Sequence, residues 1–277
     1  MILLNPNNHN RPYKDEKSKV LMQKTIDFFE NKGLKKLKKD WHDKTWNYDF
    51  VEFMKEAQAF ATLMTPAGYG AEDSRWDTYR NNEFSEITAF YGITYWYTWQ
   101  VSMLGLGPIW LGGNEEVKQK TAQLLQDGSV FVFGLSEKEH GADIYSSDMM
   151  LYPQEDGTYK ANGDKYYIGN GNEAALVSTF AKMADTGEYV FFVVDSKHEK
   201  YECVRNVVHE QNYVAEFALH RLSRSTPAEN ICFPQGPSSS SPETWGMTMT
   251  PPSPILMIQP WTDGFPSCNC APQPMNG

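Results

Sequence analysis

Apolar residues recur three and four apart through residues 18–127, the spacing of a helix with one buried face. Val20, Ile26, Phe28 and Phe29 form such a stripe within a charged segment that ends at Gly33. Residues 48–63 repeat the pattern and stop before Thr65-Pro66-Ala67-Gly68. Residues 84–104 predict a long helix dense in aromatics, with Phe90, Tyr91, Tyr95, Trp96, Tyr97 and Trp99. A helix apolar on most sides predicts burial. Asn114 is placed to cap a further helix, with Glu115 and Glu116 in its first turn and Gly128 beyond its end.

The period changes after Gly128. Residues 130–133 (VFVF) are a short apolar run of strand type, and residues 178–183 and 189–195 predict two more. Asn162-Gly163, between residues 159–161 and 165–168, predicts a hairpin turn, since both residues tolerate positive φ. Helices first and strands second, without βαβ alternation, predict an α+β chain. The expected units are an α-helical domain over residues 1–127 and an antiparallel, barrel-like β-domain over 128–220. An irregular tail over 221–277 follows.

Composition sets that tail apart. Eleven of the 16 prolines lie at Pro227 or beyond, and only five charged residues follow His220. Prolines so placed interrupt helices and central strands. The change reads either as out-of-frame translation or as a genuine extension. The net charge of −10 argues against nucleic acid or an anionic membrane as partner. No run approaches the roughly 20 apolar residues of a membrane span, and the N-terminus lacks a secretory pattern, so the cytoplasm is expected. Glu137, His140 and Asp143 read as solvated loop groups, and no metal is expected.

The candidate chemistry lies in residues 134–143 (GLSEKEHGAD) and, some 20 residues on, 163–170 (GDKYYIGN), with residues 105–118 (GLGPIWLGGNEEVK) upstream. In this order and spacing the three segments resemble the acyl-CoA dehydrogenase family, and Thr65-Pro66-Ala67-Gly68-Tyr69-Gly70 resembles one of its turns. The resemblance covers roughly residues 48–220. It implies FAD as cofactor, an acyl-CoA substrate, an electron-transfer flavoprotein or similar acceptor, and homo-oligomeric assembly. It places Phe133, Leu135, Ser136, Tyr167, Ile168 and Gly169 at the flavin and Ala142 beside the acyl-CoA.

Four departures accompany it. Gly169 stands where the family has threonine, Tyr167 where it commonly has tryptophan, Ala142 where it has serine or threonine, and His140 where a small residue is usual. The family's C-terminal helical bundle, which usually supplies the catalytic base, has no counterpart after His220, so no residue is assigned as base. The implied activity is α,β-dehydrogenation of an acyl-CoA, and the chain as written is expected to be inactive. A second reading keeps the scaffold as a non-catalytic acyl-CoA or protein-binding module.

Overall fold

A computed structural model describes residues 4–9, 11–209, 212–219 and 231–232. Six α-helices come first: α1 (Glu16–His42), α2 (Tyr48–Glu56), α3 (Ala59–Met64), α4 (Thr78–Tyr91), α5 (Ile93–Leu111) and α6 (Glu115–Gln126). Strands follow: β1 (Phe131–Gly134), β2 (Met150–Pro153), β3 (Tyr159–Gly169), β4 (Leu176–Met183), β5 (Tyr189–Asp195), β6 (Tyr201–His209), β7 (Asn212–Leu219) and β8 (Ile231–Cys232). The expected tail lies outside the described residues apart from β8, which pairs with β5.

Local chemistry sets the helix ends. Asp15 caps α1 by accepting from the Ser18 N–H at 2.7 Å, and Asn114 caps α6 by accepting from Val117 N–H at 2.8 Å. Gly33, at φ 71°, breaks α1 without ending it. The single helix expected over 48–63 is two, because Gln58 adopts a left-handed conformation between α2 and α3. Its side-chain amide donates to the carbonyls of Lys55 and Gln126, both at 2.8 Å, which holds the break in place. The helix expected over 84–104 is also two, divided at Gly92.

The hairpin expected at Asn162-Gly163 is not there. β3 runs straight through both residues, and the β2–β3 turn lies at residues 154–158, where Gln154 N–H donates to the Thr158 carbonyl and Gly157 takes φ 78°. Gly163 answers a different demand. A Cβ there would lie 2.9 Å from Met149 Cα, so only glycine lets the two backbones approach. At this point β3 passes from pairing with β2 to pairing with β7.

The barrel-like antiparallel domain needs correction as well. The eight strands make one mixed sheet in the order β6-β7-β3-β2-β4-β5-β8, with β1 on β4, and the sheet is not closed into a barrel. β5 occupies one edge of β4; β1 and β2 share the other edge end to end, both parallel to it. The chain therefore leaves the sheet after Gly134 and returns at Met150 farther along the same edge. Residues 135–149 are the loop this creates.

Alternate residues of β1 face opposite ways, as in any strand. Phe131 joins the core formed with Phe29, Phe50, Phe60, Phe84, Tyr95 and Trp99 of the helices. Val132 joins a second core on the other face, with Leu151, Val177, Phe192 and Phe217.

Candidate functional site

α5 lies against the sheet closely enough to fix the ends of β1 and β3. A Cβ at Gly105 would lie 2.5 Å from the Val132 carbonyl oxygen, so the helix needs glycine at the crossing. The Ser178 hydroxyl donates to the Gly105 carbonyl at 2.5 Å, and Phe131 N–H donates to Ser102 Oγ at 3.2 Å. Asn170, buried and left-handed at φ 59°, donates its side-chain N–H to the Thr98 carbonyl at 3.0 Å. The chain end of β3 is thereby bolted to the middle of α5.

Between Lys165 and Ile168 the pairing of β3 with β7 slips, and Tyr167 sits in the slip with φ 65°. An extra residue in one strand bends it and turns a side chain out of the ladder, a device common beside binding sites. Tyr167 is 46% exposed as a result. The bulge is tied to the segment after β1 by two hydrogen bonds: Tyr166 N–H donates to the Ser136 carbonyl at 3.0 Å, and Ser136 Oγ donates to the Tyr166 carbonyl at 2.8 Å. The two sequence segments singled out for their chemistry are thus neighbours in space.

Beneath them is a buried ion pair that sequence reasoning missed. Lys165, fully buried, donates to Glu137 Oε1 at 2.6 Å and to the Leu135 carbonyl at 3.0 Å. The Glu137 carboxylate also accepts from Ser147 Oγ at 2.5 Å, Asp148 N–H at 2.7 Å and Met149 N–H at 3.2 Å. Glu137 was expected to be solvated; it is buried because the loop closes over it and supplies these donors. Burial raises its pKa, but Lys165, Ser147 and the Asp148 peptide outweigh that and hold the carboxyl below its usual range. Burial draws the Lys165 ammonium below its ordinary value, with Glu137 opposing. The lysine at the start of the YYIG segment and the glutamate one residue after Ser136 were the available signal.

The expected site residues divide. Ser136, Tyr167 and the Gly169 backbone lie at the junction, and Leu135 contributes its carbonyl to the Lys165 pin. The Ile168 side chain is buried in the second core, so only its backbone is available. Phe133, half-buried near the end of β1, stacks on Phe191 with ring centroids 5.3 Å apart. Ala142 is exposed on the loop. His140 Nε2 lies 3.1 Å from Asp148 Oδ2, and one ligand atom from each of Glu137, His140 and Asp148 falls within 4.8 Å of the others. The four hydrogen bonds to Glu137 already satisfy its carboxylate. Tyr97 of α5, read from sequence only as one aromatic of a buried helix, reaches the junction: a Cβ on Gly169 would lie 2.6 Å from its hydroxyl oxygen.

No protein-family model matches the chain. Over 75 residues it is 37% identical to the short-chain-specific acyl-CoA dehydrogenase of Megasphaera elsdenii, an alignment covering 27% of this chain and 20% of that protein. The structure is similar to butyryl-CoA dehydrogenase from Megasphaera elsdenii with a TM-score of 0.71 at 21% identity, over 80% of this chain and 60% of the other. It is also similar to an acyl-CoA dehydrogenase from Bacillus anthracis complexed with FAD, with a TM-score of 0.63 at 24% identity, over 79% of this chain and 38% of that one. The described residues have the N-terminal and middle portions of the acyl-CoA dehydrogenase fold. The chain spans a fifth of the curated relative's length and three fifths of the butyryl-CoA dehydrogenase.

Proposed function

We propose that this chain supplies the flavin-facing part of an acyl-CoA dehydrogenase-type oxidoreductase, with FAD as cofactor and an acyl-CoA thioester as substrate. The observation that carries the reading is the pair of hydrogen bonds joining Ser136 to Tyr166, which brings the two motif segments to one edge of the sheet. Two features fit a flat heterocycle at that edge. The Tyr167 ring stands exposed in a bulge instead of folding into the core, and the Tyr97 hydroxyl beside Gly169 has no hydrogen-bond partner among the described residues. Phe133, half-buried and stacked on Phe191, belongs to the same reading.

When bound, FAD would accept the hydride that leaves the substrate's β-carbon as a base removes the α-proton. In this reading Tyr167 lies against the ring, Ser136 and the Ile168-Gly169 backbone border its polar edge, and Ala142 lies beside the acyl-CoA. The Lys165–Glu137 pair holds the loop that carries Ala142. No described residue takes the role of base, and we propose that the 277 residues alone do not turn over substrate. Electron-transfer flavoprotein as acceptor, homo-oligomeric assembly and a cytoplasmic setting belong to the same reading. Among the described residues no helix is long and apolar enough to cross a membrane.

Titration of the purified full chain into FAD tests the proposal. Quenching of flavin fluorescence and a saturable change in its visible absorption are expected. A folded chain that leaves both unchanged overturns it. If that chain nevertheless binds acyl-CoA by calorimetry, the reading as a non-catalytic module replaces it.

A further inference from the structure

We propose that the Tyr97 hydroxyl donates a hydrogen bond to the flavin ring system, and that residue 169 is glycine to admit it. The inference rests on the FAD reading above.

The glycine has no backbone reason to be one. Gly169 is absent from the left-handed positions of the chain, which its neighbours Tyr167 and Asn170 both occupy. Its reason is steric: a Cβ would lie 2.6 Å from Tyr97 Cε1 and the hydroxyl oxygen, and 2.8 Å from Cζ. The far end of the phenol lies directly over the Gly169 backbone, where any other residue would displace it. That position is held from below, since the carbonyl of Thr98, the next residue of α5, accepts a hydrogen bond from Asn170, the residue that follows the strand. Helix and strand are therefore locked together one step from the contact.

A ring wedged so closely would ordinarily complete its hydroxyl's hydrogen bonding, as buried tyrosines usually do. This one has no partner among the described residues, and Tyr97 is only part-buried, so the hydroxyl is open to a ligand. Burial and the nearby Tyr167 phenol raise its pKa above 10, which keeps the proton on oxygen at neutral pH. A neutral donor close to an exposed aromatic ring suits a planar heterocycle with acceptor atoms on its rim.

The test is FAD binding by the full chain, read by fluorescence quenching and by the absorption spectrum of the bound flavin, in wild type, Tyr97→Phe, Gly169→Ala and the double variant. Tyr97→Phe keeps the ring and removes only the hydroxyl. It should bind FAD several-fold to about 10-fold more weakly, the range of one net hydrogen bond, and shift the flavin bands, with thermal stability unchanged. Gly169→Ala should weaken binding by pushing the phenol aside, and in its background Tyr97→Phe should cost little more. Wild-type binding with an unaltered affinity and spectrum in Tyr97→Phe overturns the inference and leaves the FAD reading standing. Failure of wild type itself to bind FAD removes both.

Discussion

On the inner side of the β1–β3 junction, Lys165, Asn170 and Ser178 each reach a carboxylate or carbonyl distant in sequence: Glu137, Thr98 and Gly105. On the outer side, Tyr167, two residues along β3 from Lys165, is exposed, and the Tyr97 hydroxyl of α5 has no described partner. Groups that are fully satisfied and groups that are left open thus lie side by side around the end of β3. A buried polar group without a partner is costly, so the inner side is closed by necessity. The outer side can stay open only because water or a ligand can reach it. The comparison separates what holds the junction from what the junction presents.

The strongest way to break it is from within. Lys165→Ala leaves the Glu137 carboxylate buried without its cation and should cost about 3–5 kcal/mol, read by urea denaturation of the full chain. Lys165→Met paired with Glu137→Gln should recover part of the loss, because the uncompensated charge is gone. A Lys165→Ala variant as stable as wild type would show that the loop simply opens and solvates Glu137.

Gly105→Ala probes the same side through shape. Its Cβ would meet the Val132 carbonyl at 2.5 Å, a backbone atom that cannot swing away. Separating α5 from β1 should cost about 1–3 kcal/mol. Gly107→Ala, two residues along, has nothing within 4 Å of the new Cβ and should be neutral or slightly stabilising. Equal melting temperatures for the two variants would contradict the close crossing.

How much of this was legible beforehand follows the range of the forces involved. The α6 cap at Asn114, the aromatic burial of α5 and the strand character of β1, β4 and β5 are local or periodic, and the sequence predicts them. The helix break at Gln58 depends on an amide reaching the Gln126 carbonyl 68 residues away, which no local pattern records. Asn162-Gly163 resembles a turn because glycine serves both turns and close approaches, and only Met149 across the strand distinguishes them. In the same way Ser136 and Tyr167 were legible by resemblance, whereas Tyr97 became part of the site only through its contact with Gly169. The two strands β6 and β7 went unpredicted; Val204 and Val208 of β6 are exposed, so its apolar positions do not mark a buried face.

Acidification should separate the two sides in a graded way. The Glu137 carboxyl is held below its ordinary pKa of 4.5, so the folded state binds its proton less readily than the unfolded chain. Its contribution is therefore complete above about pH 4.5 and is lost as the pH falls through the folded value. Denaturation midpoints of wild type should decline more steeply on that acid limb than those of Glu137→Gln. Parallel profiles would mean that the pair contributes nothing that titrates.

The smallest effect on stability is expected at Tyr167, and it sharpens the comparison most. A left-handed backbone costs a non-glycine residue about 1–2 kcal/mol, so Tyr167→Gly relieves strain. Against this, glycine gives the unfolded chain more freedom, worth about 0.4–1 kcal/mol, and the lost ring was already half in solvent. The two nearly cancel, and the net change should fall within about 1 kcal/mol of zero. FAD affinity should respond quite differently, because the flat face proposed to lie against the ring is gone, and a loss of about 10-fold is expected from one aromatic contact. Stability held and affinity lost would mean that the bulge keeps Tyr167 in a strained conformation for what it presents. Stability lost with affinity unchanged would place Tyr167 among the residues that hold the junction and reverse the division drawn between the two sides.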